Sequence, residues 1–206
     1  MLFDFQKYIV KKALKAGKYA IFADCGLGKT PMQLDWAEKV TVKTQKPVLI
    51  LCPLAVCAQT INEGKKFNVN VEKLKGEVFG TGIYISNYEQ LNNIDCDVFG
   101  GVVLDESSIL KNFTGVYKNL IIEKFKQTPY KLACTATPSP NDLNEIGNHS
   151  EFLNILDAQD MRSKWFVRDK GMNNYRLKGH AKKDFYGWIS SWATMLTNPA
   201  DLGMVS

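Results

Sequence analysis

Five apolar runs set the terms on which this chain can fold: YAIFA from Tyr19, PVLILC from Pro47, GIYIS from Gly82, GVVLDE from Gly101 and YKLACTAT from Tyr130. Each is hydrophobic throughout rather than at alternate positions, the pattern of strands covered on both faces. Segments of helical spacing lie between them. In VYKNLIIEKF, for instance, Val116, Leu120, Ile121 and Phe125 share a face. Strand alternating with helix predicts a three-layer α/β domain, its central sheet mostly parallel and its helices on both faces. No internal repeat or low-complexity linker breaks the pattern.

After Leu156 the periodicity is lost. RSKWFVRDKGMNNYRLKGHAKKDF mixes basic residues, aromatics and glycines, and predicts a strand pair or an irregular basic insertion over 160–182. A helix should follow, with Phe185, Trp188, Ile189, Trp192, Ala193 and Leu196 on its apolar face. Helical spacing assigns those tryptophans to the core rather than to stacking on bases.

Composition excludes several classes. A chain of 206 residues with 45% hydrophobic content can bury a sizeable core. No apolar run approaches the roughly 20 residues that span a bilayer, and MLFDFQKYIVKK lacks the features of a secretory signal. A cytoplasmic protein with no membrane partner is expected. Cys25, Cys52, Cys57, Cys96 and Cys134 contain no C-x-x-C pair and are expected to be reduced and mostly buried. A net charge of +5 is compatible with a polyanionic partner. Among 26 basic residues only Arg162, Arg168 and Arg176 are arginines, so the chain before Arg162 relies on lysine.

ADCGLGKT, from Ala23 to Thr30, follows a predicted strand and opens a predicted helix. A tight glycine turn at a helix N-terminus points successive backbone N–H groups at one place, where the helix dipole also favours negative charge, so a polyphosphate can be wrapped by main chain. Gly26, Leu27 and Gly28 would form the turn, Lys29 would reach the β- and γ-phosphates, and Thr30 would offer its hydroxyl to Mg²⁺. Acids are needed nearby to hold the metal and orient an attacking water. GVVLDESS delivers Asp105 and Glu106 to the carboxyl edge of the sheet, where ligands bind in open α/β folds. Asp105 would serve Mg²⁺ and Glu106 the water.

With those residues in place a resemblance becomes specific. A-x-x-G-x-G-K-T is similar to the phosphate loop of superfamily 2 helicases, many of which carry alanine at its head. LDESSILKN resembles motif II of the Swi/Snf-type branch, D-E-A-H-x-x-K-N, and ACTATPSPN resembles its motif III, T-G-T-P-x-x-N. FQKYIV, with Gln6, looks like the glutamine motif that reads adenine; LILCPLAVCAQTINEGKKF looks like motif Ia and ISNYEQL like motif Ib. The blocks follow the family's order over nearly the whole chain, and phage-encoded members are the nearest in pattern.

The resemblance implies the N-terminal RecA-like domain of a DNA-dependent ATPase of helicase or translocase type, using ATP and Mg²⁺. Lys29, Asp105 and Glu106 become the catalytic residues, and Gln6 with Gly26 to Thr30 the nucleotide-binding set. Ser108, Thr135 and Thr137 become the residues that couple the ATP site to motif III. Ser108 departs from the family's histidine; a hydroxyl reaches less far and carries no charge, which puts the coupling at issue rather than ATP binding. Only Asp24 remains of the two acids that usually precede the glycines. Ser139 is expected to cap a helix, with Pro140 at its first position and Asp142 completing the box.

Motifs Ia and Ib imply that Gln59, Lys65, Lys66, Ser86 and Asn87 hold one strand of duplex DNA by its phosphates, without reading sequence. The segment with Arg162, Lys164, Arg168, Arg176, Lys178 and His180 is a second possible phosphate surface. Motors of this type use two RecA-like domains, so a second domain in cis or in trans is expected, and turnover without it should be poor. Two other readings compete: a small phosphate-loop kinase or GTPase, in which TATPSPN has no role, and a nucleotide-binding interaction module that has lost motor coupling.

Overall fold

The apolar runs become the inner strands of one sheet. The computed structural model describes residues 2–110, 116–139, 143–168 and 175–203. The chain runs α1 (Asp4–Ala16), β1 (Lys18–Ala23), α2 (Lys29–Thr44), β2 (Val48–Cys52), α3 (Leu54–Lys66), β3 (Val71–Lys73) and β4 (Ile83–Asn87). It continues through β5 (Gly101–Asp105), α4 (Val116–Lys124), β6 (Tyr130–Thr135), α5 (Ile146–Phe152), α6 (Ala158–Trp165), β7 (Phe166–Arg168), β8 (Tyr175–Leu177), α7 (Lys182–Trp192) and β9 (Ala193–Leu196). Short 3₁₀ turns at Tyr88–Asn93 and Ser107–Leu110 follow β4 and β5.

The main sheet has seven strands in the order β3-β4-β2-β5-β6-β1-β9, and every ladder is parallel. This is the three-layer α/β fold with a mostly parallel sheet that the alternation predicts, and the RecA-like form of it that the resemblance implies. Alternate residues of each inner strand serve opposite cores. Ile21, Ile50, Val103 and Leu132 face α1, α2 and α3, meeting Ile9, Met32, Trp36 and Cys57. Phe22, Leu49, Leu104 and Ala133 face the other layer, meeting Ile121, Phe152, Met161 and Phe185 of α4 to α7. Both faces are sealed, which is why the strands read as unbroken apolar runs.

β7 and β8 pair antiparallel apart from the main sheet, placing a strand pair within the basic segment. The helix expected to reach Leu196 stops at Trp192 instead. Ala193–Leu196 is an edge strand parallel to β1, with Ala20 opposite Ala193 and Ala23 opposite Leu196. Helical and extended spacing overlap over four residues, and the unpaired edge of β1 decides between them by offering backbone partners. Thr194, buried, exchanges a 2.9 Å hydrogen bond with Tyr19. Trp192 is buried against Phe22, as the core assignment of the tryptophans expects. Cys25 is exposed and the other cysteines are buried and free. The capping box of Ser139 falls on Pro140 and Asp142, outside the described residues. β3 was not anticipated, its three residues being too few to carry a pattern. Among the described residues no helix is long and apolar enough to cross a membrane.

Candidate active site

The register aligns three strand ends on one edge. Phe22 of β1 lies opposite Thr135 of β6, and Cys134 lies opposite Asp105 of β5, so the ADCGLGKT turn, the acidic pair and the TAT segment emerge side by side. Parallel strands make this convergence automatic, because every carboxyl end points the same way.

Between β1 and α2 the chain turns through Gly26 at φ 85° and Gly28 at φ 73°, conformations that side chains with a Cβ resist. Gly28 is also the residue just before α2, and no side chain caps that helix. Its first-turn N–H groups therefore remain for an anion to take. Lys29 Nζ donates to the carbonyls of Ala23 at 2.9 Å and Asp24 at 3.3 Å, folding the amine onto its own loop. Thr30, half-buried, follows in the first turn.

Gln6 braces this loop from α1. Its Oε1 accepts from Phe3 N at 2.9 Å, and its Nε2 donates to Leu27 O at 3.0 Å. A Cβ on Gly28 would land on that same Nε2, so a side chain there would have to displace the Gln6 amide besides adopting a left-handed φ.

Asp105 closes β5 and is nearly buried. Its Oδ1 accepts from Gln33 Nε2 at 2.8 Å and from Glu106 N at 3.1 Å, leaving Oδ2 without a protein donor among the described residues. Burial raises its pKa, while the Gln33 hydrogen bond and the charge of Lys29 pull it back. Tyr88 donates to the Asp105 carbonyl at 2.7 Å. Glu106 has φ 55°, a strained value for a residue with a side chain, and Thr135 Oγ1 donates to its Oε1 at 2.6 Å. The same hydroxyl accepts from Thr137 N at 3.1 Å. Thr135 is buried, and Thr137 is exposed. Ser108, half-buried in the 3₁₀ turn, has no polar partner among the described residues, whereas Ser107 Oγ meets His149 Nε2 at 3.0 Å.

These residues fit a magnesium-bound nucleotide. The loop is open above Gly26, the helix end is uncapped, and a carboxylate and a threonine hydroxyl flank it. No cluster of three or more metal-ligating side chains occurs among the described residues, and Mg²⁺ does not need one, since it commonly takes one or two protein ligands and completes its shell with phosphate and water.

A cleft of about 520 Å³ joins the loop and the start of α2 to Gln59, Glu63 and Lys66 of α3. Two residues expected to hold DNA, Gln59 and Lys66, thus border the phosphate loop. Lys65 is exposed beside them. Ser86 is buried at the end of β4, while Asn87 is half-buried with Oδ1 lacking a partner among the described residues. In the basic segment several charges serve the fold. Arg162 donates to Asn144 and lies over Tyr175, and Lys178 donates to the Ser163 and Lys164 carbonyls at the end of α6. Gln33 and His149 escaped the sequence reading because each lies in a helix with no motif of its own, and Tyr88, inside the ISNYEQL block, carries no mark of the Asp105 carbonyl that it bonds.

Residues 1–140 match the family described as "Type III restriction enzyme, res subunit". No curated protein matches at a significant level. Among solved structures, the Sulfolobus solfataricus SWI2/SNF2 ATPase core in complex with dsDNA shares 22% identity at a TM-score of 0.73, covering 93% of this chain and 42% of that one. A second structure, the Sulfolobus solfataricus SWI2/SNF2 ATPase core domain, gives 21% and 0.73, with 94% and 42% covered. The UvsW helicase from bacteriophage T4 gives 14% and 0.61, with 75% and 58% covered. The chain thus spans less than half the length of the Sulfolobus proteins.

Proposed function

The chain belongs to the Type III restriction enzyme res-subunit family and has the fold of a superfamily 2, Swi/Snf-type ATPase core domain, and from that premise we propose that it is the ATP-binding lobe of a DNA-dependent ATPase. Its work would be movement along duplex DNA or remodelling of it. The observation that carries the reading is the meeting at one sheet edge of an uncapped glycine turn, a lysine and two carboxylates, one of them held by the TAT segment.

Gly26, Leu27, Gly28 and Lys29 would wrap the phosphates, Gln6 would meet adenine, and Thr30 with Asp105 would hold Mg²⁺. Bound there, Mg²⁺ would supply charge that offsets the phosphate oxygens. Glu106 would orient water, its carboxylate kept in place by Thr135. Lys29 must leave the Ala23 and Asp24 carbonyls to reach a phosphate, so the loop exchanges internal hydrogen bonds for ligand ones. Lys65, Lys66, Gln59, Ser86 and Asn87 remain the proposed contacts to DNA phosphates, and a DNA partner is supported by the dsDNA complex of the Sulfolobus core. A second RecA-like domain would supply arginines, since none precedes Arg162.

Calorimetry with Mg²⁺ and ATP tests the reading. Lys29→Ala should bind at least about tenfold more weakly, a loss of ~1.4 kcal/mol. Equal affinities would overturn the site. Ser108, standing where the resembled family has histidine, favours a second reading, a nucleotide-binding module without motor coupling. Turnover that stays flat when duplex DNA and a second domain are added would select the module.

A further inference from the structure

His149 is wholly buried, and so is Ser107, the residue that follows the acidic pair; their side chains meet at 3.0 Å across 42 positions of sequence. The Phe22 ring packs against the imidazole in a T-shaped contact, at a centroid separation of 5.2 Å and 85° between the rings. Two polar groups placed there cost free energy unless they are bonded to each other, whereas two apolar groups would pack in many arrangements. The pair therefore specifies position.

Its neighbour repeats the connection. Asn148 Nδ2 donates to Leu110 O at 3.1 Å, so adjacent residues of α5 hold both ends of the Ser107–Leu110 turn. Lys118 and Glu151 pair at 3.3 Å, fastening α5 to α4. In front of this turn stands Glu106 in its left-handed conformation, which persists only where neighbours over-determine it. Gln33 holds the preceding carboxylate and Thr135 holds that of Glu106 itself, while Ser107 is held from behind.

We propose that His149 is a positioning residue for the site: through Ser107 it fixes the backbone that aims Asp105 and Glu106. It does not touch a ligand. α5 also follows the TAT strand end in the chain, so this contact makes a second tie between the segments bearing Thr135 and Glu106. The proposal rests on the nucleotide-site reading above.

The test is ATP affinity of the full chain measured twice, with Mg²⁺ and with EDTA, for wild type, Asp105→Asn, Ser107→Ala, His149→Leu and His149→Gln. The ratio of the two affinities isolates the metal-dependent part, which a loss of packing alone would not single out. His149→Leu and Ser107→Ala should each lower that ratio about tenfold, the lower end of what outer partners of metal ligands contribute. The double variant should be no worse than either single one, and His149→Gln, whose Nε2 can reach Ser107, should restore most of the ratio. An unchanged ratio in Ser107→Ala and His149→Leu, with Asp105→Asn losing it, overturns the positioning role and leaves the site intact. If Asp105→Asn also keeps the ratio, the site reading falls and the proposal with it. Should His149→Leu fail to fold by thermal melt, Ser107→Ala and His149→Gln decide the question.

Discussion

Thr135 Oγ1 donates a 2.6 Å hydrogen bond to Oε1 of Glu106, joining the carboxyl ends of two neighbouring strands. The donor is neutral and the acceptor is a carboxylate when ionised, so the bond belongs to the stronger, charge-assisted class. It also occupies one oxygen of the side chain proposed to orient water.

Removing that bond separates binding from chemistry. Thr135→Val keeps the shape and deletes the donor, and on the proposed function should leave ATP affinity within about threefold while lowering turnover, measured with duplex DNA and a second RecA-like domain present, roughly 10- to 100-fold, as ~1.5–3 kcal/mol for a hydrogen bond to a charged group implies. Steady-state kinetics beside calorimetry checks it. An equal fall in affinity would mean that Thr135 supports the loop rather than Glu106.

Gly28→Ala meets two obstacles, a left-handed φ of 73° and the Gln6 amide. Gly26→Ala meets only the first, for nothing lies near its Cβ position. Gly26→Ala should cost ~1–2 kcal/mol of stability, and Gly28→Ala more. Adding Gln6→Ala should relieve part of the Gly28→Ala loss and none of the Gly26→Ala loss. Urea unfolding of the wild type, the three single variants and the two double variants tests this, and additivity at Gly28 would show that the Gln6 contact is inconsequential.

Lys131 is wholly buried at the start of β6, where Nζ donates to Phe152 O at 2.9 Å and Asn154 Oδ1 at 2.6 Å. Burial, and then the charge of Lys18, push its pKa down from 10.5 to about 7. Between those two values the unfolded chain holds a proton that the folded chain has released, so stability due to this group rises with pH across that window. Below it both states are protonated and the cost of the buried charge is felt in full. Relative to Lys131→Met, the wild type should gain up to about 1.4 kcal/mol per pH unit between pH 7 and 10. A difference that is flat over this range in urea titrations would refute the shift.

Lys65 and Lys66 are neighbours in sequence, yet only Lys66 lines the cleft shared with the phosphate loop. Lys65→Glu should weaken DNA binding on every sequence and reduce its salt dependence, leaving ATP affinity alone. Lys66→Glu should weaken both. Fluorescence titrations with ATP and with duplex DNA at two salt concentrations distinguish them, and identical behaviour would remove the cleft from the account.

Much of this architecture was written locally. Residues such as Leu49, Ile50, Val103 and Leu104 read as two-sided strands because each side of the sheet has its own core, and a strand buried on both faces needs apolar residues at every position. The ADCGLGKT turn was equally legible, since glycine at a left-handed φ is a requirement of one residue's own backbone. What only the tertiary structure decided depends on partners distant in sequence. Ala193–Leu196 became a strand because β1 had an open edge, not because of its own spacing. Gln33 reached Asp105, and His149 reached Ser107, across 72 and 42 positions. A single polar side chain in a helix carries no mark of the group it will meet, and the pairing is imposed by the burial that makes an unbonded polar atom costly.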